Sequence, residues 1–205
     1  AFFLSIEFQE TGYLVYRIYK SAFGNLTGAP VPVVFNDFMI DTQKIQTNVQ
    51  VNVGDWQSQL EANKQAYTLA FVQRNDFVGA FPVDMTAQAF VDKLNTNAGG
   101  VLSPAEVATL VGVLGATPGD AAKRSQVLRA VAEDSDLKTA EFNKAFVLMQ
   151  YFGYLRRNPN DLPNTNFDGF NFWLEKLIDF NGDYIAAEMV KAFITSDEYI
   201  HRFGP

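Results

Sequence analysis

The chain contains no cysteine and a single histidine. The first absence excludes disulfides and thiolate metal or redox sites, and it is compatible with the exterior of a bacterial cell. The second leaves His201, close to the end of the sequence, as the one imidazole for a Ser-His-Asp or Cys-His device. That is a poor place to hold a general base within hydrogen-bond reach. There is no Gly-x-Ser-x-Gly turn, no phosphate-cradling glycine-rich loop and no His/Cys cluster. Every apolar run is interrupted, by Glu7, Arg17, Gln150 or Lys191, short of the roughly 18 to 20 residues that cross a bilayer. Basic charge is in deficit, 16 Lys and Arg against 23 Asp and Glu, for a net charge of -7. The field of the whole molecule therefore repels phosphate backbones, and nucleic acid is not expected as a partner. Ala1-Phe2-Phe3 has no basic leader and reads as the tail of a helix, so the expectation is a piece of a longer protein with its targeting signal upstream.

What the chain does have is apolar mass: 48% hydrophobic residues and 19 phenylalanines, ample for a sizeable core. Helix punctuation is frequent. Asp55 caps a helix carrying Trp56, Leu60, Tyr67 and Phe71, and Thr86 opens one carrying Phe90, Val91 and Leu94. Ser103-Pro104-Ala105-Glu106 is a capping box with proline at the first helical position, and Thr117-Pro118-Gly119-Asp120 repeats the device before Val127, Leu128 and Val131. Phe2 to Phe8 and Tyr13 to Tyr19 read as two aromatic helices stopped at Gly24-Asn25. Between Thr27 and Asp55 a long loop is expected, with a short helix around Asp37 to Ile45 and two extended pieces, one at Val49, Val51 and Val53, that Pro30 and Pro32 make poor strands. The run from Glu141 to Leu155 is apolar nearly all round and is expected to be the most buried helix.

Four acid-plus-apolar pairs, Glu7-Phe8, Asp76-Phe77, Asp136-Leu137 and Glu198-Tyr199, read as helix ends at regular spacing. They divide the chain at 8–77, 77–137 and 137–199, units of about 60 to 70 residues too small to bury a core alone. The expected fold is all-α: one array of three stacked helical repeat units over 1–205, with long loops and little or no β.

The third unit carries Tyr151, Leu155, Arg157-Asn158-Pro159, then Gly169-Phe170-Asn171-Phe172-Trp173-Leu174, and finally Ala192-Phe193-Ile194-Thr195-Ser196-Asp197-Glu198-Tyr199. Over residues 139–203 this resembles the bacterial domain of unknown function numbered 4214, whose pattern is an Arg-x-Pro-Asp loop, a Gly-x-x-Tyr-Trp helix and a Ser-x-Glu-Phe/Tyr ending. Here Asn160 stands where that pattern has the loop acid, Asp161 follows it, and an insertion through Asn164 separates the loop from Gly169. The closing Ser196 to Phe203 is also similar to a helix ending of phycobilisome linker domains. The first resemblance implies a non-catalytic module on a large secreted or surface protein, found beside adhesive and calcium-binding domains. The second implies a scaffold that assembles other proteins.

Asn164, Asn166, Asp168, Gly169 and Glu175 match calcium-loop positions 1, 3, 5, 6 and 12. The competing reading is that Asn166 or Asp168 caps the Phe170 to Ile178 helix. Asp179, Asn181 and Asp183, with Glu188 beyond, alternate in the same way, against a turn whose Asp183 caps the last helix. Arg156 and Arg157 beside Tyr151, Tyr154 and Trp173 form a fork-and-ring set suited to a carboxylate or a sugar, against arginines that finish their own helix. Trp173 is either core or a binding face. Catalytic residues are not assigned. An enzyme of carbohydrates working with paired carboxylates near Trp173 is the alternative, and a deep pocket holding two acids of raised pKa is what would mark it.

Overall fold

A computed structural model describes residues 6–204, in which there are eleven α-helices and no strand. The chain is all-α. Tyr13, Leu14, Val15, Tyr16, Ile18 and Tyr19 place apolar surface on every side of α1 (Ile6–Phe23) over that stretch. It is buried from Thr11 to Ala22 apart from the half-buried Arg17. Around it pack α2 (Phe35–Gln46), α5 (Ala87–Ala98), α7 (Ala121–Ala132) and α8 (Ser135–Gln150). An outer layer holds α3 (Trp56–Phe71) against α2 and α7, and α6 (Pro104–Leu114) against α5 and α7. The expectation that residues 141–155 form the most buried helix is thus corrected: the centre is α1, and Phe142 of α8 is 45% exposed.

Aromatic rings join the layers. Tyr19 meets Phe71 edge-on at 5.2 Å, Phe77 stacks on Phe81 at 4.6 Å, and Phe81 meets Phe90 at 5.1 Å. On the opposite side Phe38 of α2 lies between Phe8 and Phe152. The predicted caps at Asp55, Thr86 and Ser103 all accept the expected backbone N–H, and the box at Ser103 and Glu106 is closed in both directions. The box expected at Thr117 is not formed, because α7 starts three residues later with Asp120 as its cap, accepting the Lys123 N–H.

Three local expectations change. The two aromatic helices at the start are one continuous α1 over the described residues, the piece from Phe2 to Ser5 lying outside them. The valines after α2 lie in turns, with Asn48 and Asn52 at positive φ, instead of an extended strand. The acid-plus-apolar pairs are helix beginnings. Asp76-Phe77 opens α4 (Asn75–Ala80), Asp136-Leu137 opens α8, and Glu198-Tyr199 opens α11 (Asp197–Phe203), each helix starting three or four residues after a preceding helix stops at Phe71, at Ala132 or at the end of α10 (Met189–Ile194). Glu7-Phe8 falls within α1. At all three corners a side-chain oxygen accepts the N–H of the apolar residue: Asp76 for Phe77, Asp134 for Leu137, Ser196 for Tyr199. Phe77 and Leu137 are fully buried, and Tyr199 partly so. The packing does not run unit to next unit, because α1 touches elements from each of the three proposed units.

Because α8 supplies Glu141 to Tyr16 and leads to Phe152 against Phe38, a chain ending at Leu137 is expected to lose its sharp thermal transition. A cooperative two-state melt of that fragment, followed by calorimetry, would show that the first two units fold without α8.

Candidate functional site

Helix α8 does not end on glycine. It widens into a π-helical turn, Tyr151–Leu155, and closes with Arg156 in the left-handed region at φ 53. That conformation costs a non-glycine residue about 1 to 2 kcal/mol, and the Arg156 guanidinium settles 5.7 Å from the ring centre of Phe35. Its effect is to reverse the chain and turn Arg157 inward, where it is only 6% exposed.

Arg157 is the hub of the region that carries the family resemblance. Its Nε and Nη2 donate to the two carboxylate oxygens of Glu198 at 2.6 and 2.8 Å, the parallel fork that makes arginine-carboxylate pairs strong. Nη1 donates to the carbonyls of Asn158, Pro159 and Asp161, and Nη2 also to Asn164 Oδ1 at 2.6 Å. The guanidinium lies 5.4 Å from the Tyr151 ring centre. All five N–H groups are therefore engaged within the protein. The loop from 158 to 164 is wound on this side chain, and Asn158 ties it onward by accepting the Phe35 N–H. Arg202 adds a second cation to Glu198 and donates to the Leu155 carbonyl.

Helix α9 (Asp168–Asp179) meets this hub end-on. A Cβ at Gly169 would stand 2.8 Å from the Tyr151 hydroxyl oxygen, so the glycine is required by close approach. Trp173, one turn on, packs partly buried against Phe193 at 5.6 Å, with the Lys176 ammonium 5.1 Å from its ring centre. Between these elements a pocket of about 240 Å³ opens, lined by Tyr151, Arg157, Asn164, Gly169, Trp173 and Glu198 among others. Burial pushes the Tyr151 hydroxyl up to about 12, only partly opposed by Arg157.

The structure thus brings Arg157, Trp173 and Asn164 together, and leaves the other sequence candidates apart. Arg156 faces Phe35. Asn166 accepts the Asp168 N–H and donates to its carboxylate, while the residue before α9, Phe167, caps with no side chain. Glu175 is exposed two turns along α9. Asp183 accepts the N–H groups of Ile185 and Ala186, so it caps a turn ahead of α10 and not the last helix. His201 is exposed on α11. The described residues contain no group of three or more His, Cys, Asp or Glu side chains placed to hold a metal.

A second ionic centre has no counterpart in the sequence reading. Asp41, 2% exposed, takes a fork from Arg74 at 2.7 and 2.8 Å, hydroxyls from Tyr19 and Tyr67, and the Lys44 ammonium at 2.9 Å. Burial alone would raise its carboxyl, but the hydrogen bonds from Arg74 and Lys44 together hold it below the usual carboxylate range. Its signal was available: Phe38, Asp41, Thr42 and Ile45 share the buried stripe of α2, and an acid in such a stripe demands a partner. Elsewhere Glu141 receives the Tyr16 hydroxyl and Lys144, and Arg124 donates to the carbonyls of Pro118, Phe81 and Pro82.

Compared with protein-family profiles, with curated protein sequences and with solved structures, the chain shows no significant match.

Two outcomes are expected from urea unfolding. Arg157→Ala strands the Glu198 carboxylate and lowers stability by about 3 kcal/mol, and Arg157→Lys recovers less than half of that because an ammonium cannot form the fork; equal midpoints for the three proteins would remove the hub from the structure's support. For Asp41 the folded carboxyl titrates below the unfolded one, so its contribution is complete above the ordinary carboxylate range and is lost as pH falls through the lowered folded value. Asp41→Asn is therefore expected to be weaker than wild type at pH 7 and to lose less stability between about pH 5 and pH 2. Parallel curves for the two proteins across that window would refute the assignment.

Proposed function

We propose that the chain is a non-catalytic structural and interaction module of a larger secreted or cell-surface bacterial protein. The observation that carries this reading is the internal use of the family-like residues. Arg157, Asn164 and Glu198, which a catalytic or ion-binding role would leave available, are bonded to one another and to the loop they hold. The secreted or surface context is supported by the resemblance of residues 139–203 to the 4214 family. The enzyme alternative needs a pair of acids with one carboxyl raised. The carboxyls with displaced titration, Asp41, Glu61, Glu106 and Glu188, all move downward.

Interaction is supported by where apolar side chains meet water. Phe172, Ile178, Phe180, Ile185, Ile200 and Phe203 are all exposed in the last third of the chain, Ile185 at 72%. Scattered apolar residues are ordinary on a surface, whereas this clustering along the sequence favours an assembly face of the kind a linker uses. No resident ion is needed: a calcium at residues 164–175 would require Asn164 Oδ1, which Arg157 already holds, and Glu175, which is remote.

Sedimentation velocity over rising protein concentration, in EDTA and again in calcium, tests the reading. Reversible self-association is expected, identical in both buffers and abolished by Phe172→Asp with Ile185→Asp at unchanged melting temperature. Association that appears only with calcium would replace the metal-free reading, and a monomer at every concentration would argue against self-association through this face.

A further inference from the structure

The pocket beside Tyr151 keeps hydrogen-bond donors for which the protein supplies no acceptor. Helix α9 opens without a side-chain cap. Asn166 takes the Asp168 N–H and the Phe167 carbonyl takes that of Asn171, which leaves the N–H groups of Gly169 and Phe170 with no acceptor among the described residues. An uncapped helix start favours negative charge but is not by itself a site. The independent observation is Tyr151. It is 4% exposed, lines the pocket, points its hydroxyl at Gly169, and has no hydrogen-bond partner among the described residues. The buried side-chain polar atoms without a partner among the described residues are on Ser21, Thr42 and Gln150, so the Tyr151 hydroxyl opens onto the pocket and is not sealed in the interior.

Asn164 completes the set. Arg157 holds its Oδ1, which fixes the amide so that Nδ2, with no acceptor of its own, lies 3.5 Å from the same missing Cβ of Gly169. The acceptors of Glu198 and Ser196 are occupied: both Glu198 oxygens by Arg157, and Ser196 Oγ by the Tyr199 N–H while it donates to the Phe193 carbonyl. A neutral polyol brings hydroxyl protons that need acceptors, and the side-chain acceptor left unpartnered here is the Tyr151 hydroxyl oxygen. An oxyanion brings acceptors only. The charged residues lining the pocket are Arg157 and Glu198, paired to each other; Lys176 lies at the Trp173 ring, and Arg202 adds a second cation to Glu198.

We propose that this pocket binds a carboxylate carried on a small unit that lies against Trp173, the chemistry shared by an acidic sugar residue and an N-acylated amino acid. The carboxylate oxygens take the Tyr151 hydroxyl, the Asn164 amide and the N–H groups at the start of α9, and the rest of the unit covers the indole. A volume of about 240 Å³ has room for one such unit, below the roughly 300 to 1,000 Å³ of drug-sized sites. Arg157 is the positioning residue, because it holds Asn164 Oδ1 while its own N–H groups are taken up within the protein. The inference goes beyond the assembly role and does not depend on it.

Trp173 and Trp56 are the two tryptophans, so the full chain carrying Trp56→Phe reports on the pocket through Trp173 emission. Glucuronate, N-acetylglycine, glucose and glucuronamide are titrated in turn. A saturable change with glucuronate or N-acetylglycine, absent with the two neutral sugars, is expected; which carboxylate acts identifies the source. Tyr151→Phe is expected to weaken that binding about tenfold, the value of a hydrogen bond to a charged group, at unchanged melting temperature. The proposal is overturned if neither carboxylate saturates, if the neutral sugars act equally, or if Tyr151→Phe leaves affinity intact. Ligand-observed NMR on the unsubstituted chain makes the same comparison without relying on the Trp56 variant.

Discussion

The constraint on which the structure depends is the burial of α1 from Thr11 to Ala22. A helix covered over that length needs the charged groups brought to it answered, since an unpaired buried charge costs several kcal/mol. Each covering element supplies such a bond, while the hydroxyls of Ser21 and Thr42 stay buried without a partner among the described residues. Tyr16 donates to Glu141 of α8, Arg17 to the Ala132 carbonyl at the end of α7, and Tyr19 to Asp41 of α2. Asn97 of α5 donates to the carbonyls of Ser21 and Ala22. These bonds contribute little net energy each. They fix rotation and height, so the apolar faces meet in one register instead of several.

The same logic, moved outward, produces the region around Arg157. A π-helical turn spoils the regular ladder of α8 and exposes the chain to a reversal that regular geometry would not give. One buried guanidinium then organises the irregular segment behind it, since the carbonyls of that loop have no helix or sheet to satisfy them. Glu198, brought back by the corner between α10 and α11, neutralises the charge. The arginine is fully occupied within the protein, and Tyr151, Asn164 and Gly169 line the open space beside it.

Local features of this fold were legible in the chain because their physics is local. A cap at Asp55, Thr86 or Ser103 needs only a side chain and a backbone N–H three residues on. The spacing of the acid-plus-apolar pairs was real, but its sense was inverted. At each corner one helix stops and the next starts within a few residues, so the same letters mark both events, and only the direction of the hydrogen bonds tells them apart. The ion pairs were not legible. Asp41 meets Arg74 across 33 positions and Arg157 meets Glu198 across 41, and no periodicity in either helix names the partner. The oxygen spacing from Asn164 to Glu175 has a related blind spot: ligand counting treats an amide oxygen as free, and here a guanidinium seven positions away holds it.

The fork between Arg157 and Glu198 also governs how the last third of the molecule comes apart. Two parallel hydrogen bonds share one rigid plane, so neither can lengthen appreciably while the other persists. Release of α11 takes with it the carboxylate that balances Arg157, and the loop wound on that side chain loses its reason to stay closed. Fraying inward from Phe203 therefore meets two ties in turn, Arg202 on the Leu155 carbonyl and then the fork, and the loop from Asn158 to Asn164 is freed only when the fork opens.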